Sequence, residues 1–372
     1  MTRVFFVRKY RLKYQSLLAL CGVVLHGCGV ALPLPTDSDR EFVFNADDVP
    51  LTPIASTESP VFHREAVFES IPGKIGSHAA TITTFADGEL LAAWMSYKGP
   101  YELDGSDIYM ARRLVGQDGW TEPVKIIDRL ENVGNPVLYA EQDHVWLFHA
   151  VVLGGWSTSQ IFVQQSADRG QSWLPTKRLP GVLGSNVRNP PVRTNEGTLL
   201  LPAYDDLFRR SLFFTSDDGQ GWTLIGSVET TPPNLQPAVA RLVDGRLLAV
   251  MRDASGGWLW AMDSVDSGRS WSLPRDSGFP NPGSGACLLS LANGHVLLVF
   301  NDSSASRAVL SAAVSADGGI TWPIRKVLAD SDGDEAYYPA AIQTPDGLIH
   351  IVFTFNRDRI EHITLNEAWL AQ

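Results

Sequence analysis

The chain has little cysteine, little basic charge beyond its first residues and no useful run of helical periodicity. Each shortage removes a class of protein. Of 372 residues three are cysteine, Cys21, Cys28 and Cys287, and only Cys287 lies in the main body. That excludes an internal disulfide framework and a cysteine-based zinc site. No Gly-rich nucleotide loop occurs, and no histidine pair has the spacing of a helical zinc motif. No cofactor or metal is expected. The net charge is −11, yet Arg3, Arg8, Lys9, Arg11 and Lys13 all fall in the first thirteen positions, and the rest without them carries −16. Such a balance argues against a nucleic acid partner, although a local cationic pocket can sit in an acidic protein. Hydrophobic residues make up 44% and charged residues 19%, the mixture of a globular chain able to bury a sizeable core.

Residues 1–15 are basic, and residues 16–25 form an apolar run of ten. That run is short of the roughly 20 residues a membrane-spanning helix needs. Basic and then briefly apolar is the order of a secretory signal. The segment ends in Leu25-His26-Gly27-Cys28, which resembles the lipidation signal of bacterial lipoproteins, with His26 where a small residue is usual. The reading is a signal peptide over 1–28 with Cys28 as a possible lipid anchor. Plain cleavage near Ala31, or an uncleaved anchor, is the alternative. Residues 29–64 begin rich in Pro, Asp, Ser and Thr and read as a tether. Residues 65–372 are expected to form one domain. The protein is thus expected to be exported from a bacterial cell, periplasmic, outer-membrane-tethered or extracellular, and monomeric.

What the body does contain is a repeat. The pattern Ser/Thr-x-Asp-x-Gly-x-x-Trp occurs at Ser166 to Trp173, Thr215 to Trp222, Ser264 to Trp271 and Ser315 to Trp322, and a worn copy ends in Asp118-Gly119-Trp120. The five tryptophans are 53, 49, 49 and 51 residues apart. Ser and Asp side chains bond backbone N–H groups in tight turns, glycine adopts a conformation other residues resist, and tryptophan buries a large plate. The motif is therefore a turn staple, not a metal or catalytic site. Each unit also holds two apolar runs joined by a hairpin signal: Asp87-Gly88, Glu196-Gly197, Asp244-Gly245, Asn293-Gly294 or Asp346-Gly347. Each unit reads as a four-stranded antiparallel blade. First strands open near His78, Asn135, Asn189, Gln236, Ser284 and Tyr338. The last unit is short, and a strand over 65–71 is expected to complete it. The prediction is an all-β, six-bladed β-propeller.

The staples resemble the Asp boxes of the sialidase superfamily, and the likeness covers about residues 65–370. In such a propeller the starts of the first strands and the ends of the second line a central funnel. Here the second set is Tyr97, His149, Tyr204, Arg252 and Asn301. The resemblance implies a Tyr nucleophile with a Glu partner, an Asp acid and three arginines on a substrate carboxylate. It assigns the nucleophile to Tyr338, carboxylate-binding arginines to Arg252 and Arg307, and the acid to Asp104 or Asp107. Two positions depart from the pattern. His78 stands where the first arginine is expected, and Gln236 where the Glu is expected.

A phenol ionises near pH 10, so a Tyr nucleophile needs help that a glutamine cannot give by taking its proton. His78 is one candidate acceptor. Asn135, His149, Asn189, Tyr204 and Asn301 are expected to contact substrate. Three functions follow: a glycosidase on an acidic glycan, a lyase that abstracts a proton from a uronic acid through His78, His149 or Tyr338, and a binding propeller without activity. Trp156, Trp258 and Trp260 either stack on sugar or pack between blades.

Overall fold

The staple explains how each blade ends. In blade 2, Ser166 closes a strand, its Oγ accepts the Gly170 N–H at 2.7 Å, and Asp168 accepts the N–H groups of Gln171 and Ser172. Gly170 has φ 77°, a left-handed conformation that costs a side chain energy and glycine little. Blades 4 and 5 repeat this at Ser264–Asp266 and Ser315–Asp317. Blade 3 departs from the sequence reading. Its staple is Ser216 with Asp218, not Thr215 with Asp217. The third strand ends at Ser216, so the turn to Trp222 is one residue shorter and the next aspartate faces it.

The computed structural model describes residues 58–127, 129–331 and 335–372. The signal, the lipid anchor at Cys28 and all but the end of the tether lie outside them. β1 (Phe62–Ala66) comes first in the chain but belongs to the last blade. Blade 1 is β2 (Gly76–Thr84), β3 (Leu90–Tyr97), β4 (Asp107–Arg113) and β5 (Val124–Lys125). Blade 2 is β6 (Asn132–Glu141), β7 (His144–Val152), β8 (Ser159–Ser166) and β9 (Lys177–Arg178). In blade 3 the innermost strand is split into β10 (Ser185–Val187) and β11 (Val192–Arg193), followed by β12 (Leu199–Asp205), β13 (Arg210–Ser216) and β14 (Thr223–Val228). Blade 4 is β15 (Asn234–Arg241), β16 (Leu247–Asp253), β17 (Gly257–Ser264) and β18 (Arg275–Asn281). Blade 5 is β19 (Cys287–Ser290), β20 (Val296–Asn301), β21 (Val309–Ser315) and β22 (Ile324–Asp330).

Blade 6 is β23 (Ala336–Gln343), β24 (Ile349–Phe355) and β25 (Arg359–Leu365), with β1 pairing antiparallel to β25 and supplying its fourth strand. The closing strand is thus present but begins earlier than the predicted 65–71. Val67, Phe68 and Ile71 leave the sheet and pack on blade 1, where Phe68 stacks on Trp94 at 4.7 Å. The apolar faces of neighbouring blades meet in a series of cores. Phe148, Phe214 and Trp222 join blades 2 and 3, and Leu200, Phe213 and Trp271 join blades 3 and 4. Among the described residues the ring is all-β apart from a 3-10 turn at Trp156–Thr158 and one short helix at the end, α1 (Glu367–Leu370).

Candidate functional site

Four innermost strands lose register at the same place, immediately after His78, Gly134, Leu235 and Tyr337. The next residue in each is left-handed: Ala79 (φ 57°), Asn135 (47°), Gln236 (56°) and Tyr338 (55°). Side chains resist this conformation at about 1–3 kcal/mol each, and such strain gathers at functional sites. In three of the four a proline follows, Pro136, Pro237 or Pro339. Proline has no N–H, so a bulge there forfeits no ladder bond. The bulges turn side chains of different blades toward one another. Blade 5 contributes backbone instead: a Cβ on Gly285 would lie 2.9 Å from Gln236 Oε1 and 3.5 Å from the Tyr338 ring.

Buried polar residues meet there. Gln236 Nε2 donates to Tyr338 Oη at 3.2 Å and lies 3.5 Å from Tyr204 Oη. Asn135 Nδ2 donates to Tyr204 Oη and to Asn186 Oδ1, both at 3.1 Å. Asn189 Nδ2 ties blade 3 to blade 4 through the Pro237 carbonyl. Burial pushes the Tyr204 phenol up, so it stays neutral. The His78 ring meets Tyr338 edge-on at 4.5 Å, and its Nδ1 lies 3.0 Å from Thr354 Oγ1.

Cations surround this cluster. Arg252 and Arg307 both donate to the Gly283 carbonyl, Arg307 at 3.0 Å. Arg307 lies 5.1 Å from the Tyr337 ring and 5.9 Å from the Tyr338 ring. Two further arginines were not expected. Arg357 sits 5.9 Å from the Tyr337 ring and pairs with Glu335 and Glu102. Arg188 is buried beneath Tyr338. Burial first, and then the charges of Arg357, Arg188, Arg307 and Arg252, hold the His78 imidazole well below its ordinary range. His78 is therefore a neutral ring and a poor proton acceptor.

The carboxylates differ from expectation. Asp107 is held between Lys74 (2.5 Å) and Lys125 (2.9 Å), which keep it ionised and occupied, so it is corrected as an acid candidate. Asp104 is exposed and accepts the Tyr101 N–H at 3.1 Å. Asp206, directly after β12, was not singled out. Burial raises its carboxyl above the usual range, against the pull of Arg252 and Arg209. Burial first, and then the charges of Glu102, Asp206 and Asp104, raise the Tyr101 phenol.

Two further expectations are corrected. His149 is fully buried against Phe162 and is driven down to about 3 by burial and Arg129. It shares a face of β7 with Leu147 and Val151, which pack between blades 1 and 2. Asn301 uses its amide on the carbonyls of Arg307, Val309 and Ala336, at 3.1, 2.9 and 2.8 Å, so it anchors the Arg307 loop instead of touching substrate. Among the tryptophans, Trp156 donates to Glu102 and packs over Gly134, while Trp258 and Trp260 meet edge-on at 5.6 Å.

A six-bladed propeller with stapled blades, and with arginines and tyrosines gathered where the inner strands bulge, defines the sialidase-type fold class. Residues 88–351, well over half of the chain, match the BNR repeat-like domain, and the chain belongs to that family. No curated protein matches it. Among solved structures it is similar to a Dyadobacter fermentans protein of unknown function, at 19% identity and TM-score 0.70 over 82% of this chain and 99% of that one. It is likewise similar to the Hadza microbial sialidase Hz136, at 19% identity and TM-score 0.68 over 78% of this chain, spanning 66% of that one. The intramolecular trans-sialidase of Ruminococcus gnavus matches at 13% identity and TM-score 0.69, over 80% of this chain and 96% of that one. At these identities the likeness establishes the fold.

Proposed function

We propose that the protein is an exo-acting glycosidase that removes an acidic sugar, in the manner of a sialidase. The observation that carries this reading is the convergence of Arg252 and Arg307 on one carbonyl beside Tyr338. Paired guanidinium groups are suited to gripping a carboxylate in two places. With the carboxylate there, the anomeric carbon is set near Tyr338. The phenol gives its proton to water, its oxygen attacks that carbon as the glycosidic C–O bond breaks, and a carboxylic acid protonates the leaving oxygen. Asp206, which burial keeps protonated to higher pH, is suited to that donation, with Asp104 as the second candidate. The same carboxylate then takes a proton from water, whose oxygen displaces Tyr338. Sialidase neighbours support the choice of sugar class. Export and a lipid anchor at Cys28 complete the proposal, and palmitate labelling lost in Cys28→Ser checks the anchor.

A second reading uses the same parts. With the carboxylate of a uronic acid neutralised by Arg252 and Arg307, the Tyr338 phenolate removes the neighbouring proton and the glycosidic bond is eliminated. The edge-on contact of His78 with Tyr338 is the observation in its favour. A digest of sialylated and uronate-containing glycans separates the readings. Released sialic acid or reducing ends, lost by about 10³-fold or more in Tyr338→Phe, is the expected result. Ultraviolet absorbance of an unsaturated uronate would replace hydrolysis by elimination. Silence in both readouts, with binding retained on a glycan array, would leave a binding propeller.

A further inference from the structure

Arg188 carries a charge that the proposed reaction does not use. It leaves blade 3 directly after β10 and crosses the axis. Its Nη1 donates to the Ala80 carbonyl at 3.0 Å, and its Nη2 donates to the carbonyls of Tyr338 at 2.5 Å and Pro339 at 3.1 Å. One guanidinium therefore joins the bulges of blades 1 and 6, including the strained peptide that carries Tyr338. The group is 2% exposed, and its Nε has no partner among the described residues. No carboxylate among the described residues pairs with it. Burying such a charge without a counter-ion is costly, and three carbonyls only partly offset that. An arrangement of this kind is stabilised when a negative charge forms close by.

Three groups that can supply one face it, Tyr338 foremost and then Cys287 and Tyr204. The Arg188 guanidinium lies 5.3 Å from the Tyr338 ring centroid, and the two attract each other electrostatically. On the other side Gln236 donates to the phenol oxygen, and Arg307 stands 5.9 Å from the ring. Gln236 cannot take the phenol proton, and His78 is a poor acceptor. We propose that Arg188 is the positioning residue of Tyr338 and the cation that holds negative charge on its phenol oxygen. In that role the phenol proton passes to solvent water, and the buried cation stabilises the phenolate left behind. This rests on the reading of Tyr338 as the reacting residue.

The test isolates one phenol. Phenolate absorbance is titrated in the whole protein and in Tyr338→Phe, and the difference belongs to Tyr338. The comparison is between Arg188 and its replacements, with the phenol read the same way in each, and Arg188→Met serves where Arg188→Gln does not fold. With Arg188→Gln as background the midpoint of the same difference should move up by about one unit, and Arg188→Lys should recover part of the shift. An unmoved midpoint in a folded Arg188→Gln or Arg188→Met protein overturns the proposal. With a substrate in hand, Arg188→Gln should lower kcat about tenfold and carry the acidic limb of the pH profile upward, with KM little changed. A shifted phenol in a protein that turns over no glycan would sink the glycosidase and leave the Arg188 assignment standing. Turnover with an unshifted phenol would do the reverse.

Discussion

The rim and the axis of this propeller are built by opposite rules. At the rim each staple is local. Ser315, Asp317, Gly319 and Trp322 bond among themselves within eight residues, and the unit recurs in four blades. At the axis the bonds that join blades are remote and used once. Gln236 reaches Tyr338 across 102 positions and Arg188 reaches it across 150. The Ser and Asp side chains of the staples are satisfied, although Trp120 Nε1 and Trp271 Nε1 are not, whereas Gln236 Oε1, Asn189 Oδ1, Arg252 Nε and Ser284 Oγ crowd the axis without partners among the described residues. Buried polar capacity left open is expensive, and a protein retains it where something else is to be bound. Stability thus resides in what repeats, and chemistry in what does not.

Substitutions can break this division. Trp271→Ala removes a plate packed on Phe213 at 4.6 Å and should cost about 3–5 kcal/mol in denaturant unfolding. A loss under about 1 kcal/mol would mean the blades do not depend on their staples. Ser315→Ala leaves the Gly319 N–H without its acceptor and should cost about 1–3 kcal/mol.

The buried histidines sharpen the comparison through pH. His149 and His350 are both driven down to about 3 by burial, while an unfolded chain takes up those protons near pH 6.5. The unfolded state binds more protons between these limits, so stability is full above about pH 6.5 and falls as the pH drops toward 3. Each such histidine contributes about 1.4 kcal/mol per pH unit to that slope. His149→Leu should remove one such contribution and leave turnover unchanged, whereas a loss of turnover would return His149 to the site. The smallest expected effect is that of Tyr338→Phe on unfolding, about 1 kcal/mol, because one hydroxyl that accepts from Gln236 is lost. A large change there would make Tyr338 part of the frame.

The same division decided what could be read in advance. The fold was legible because its signals are local: evenly spaced tryptophans, Asp-Gly hairpins and the staple spelled out each time. Even the blade 3 slip concerns one residue, set by where β13 ends. At the site, Tyr338, Gln236 and Arg252 were visible because each occupies an equivalent place in its repeat. Arg188 was not, because the repeat points to the residue before proline, Asn189, and the split inner strand of blade 3 sends its neighbour across the axis instead. His149 and Asn301 misled for a related reason. The end of a second strand is easy to place, but which face a side chain there takes depends on a single residue of register. Asp206 announces itself only through its surroundings, which no local pattern encodes.

β1 and β25 are paired across nearly the whole chain, as in the Arg64–Glu361 contact that spans 297 positions. During synthesis the first of these strands is made long before its partner exists. The ring is therefore a clasp whose two halves are delivered at opposite ends of translation, and its closure waits on the slowest kind of contact a chain can make. Until then β1 is a spare edge and blade 6 lacks its outer strand. Each of two unfinished chains side by side offers what the other is missing, so crowding of nascent molecules favours exchanged strands over closed rings.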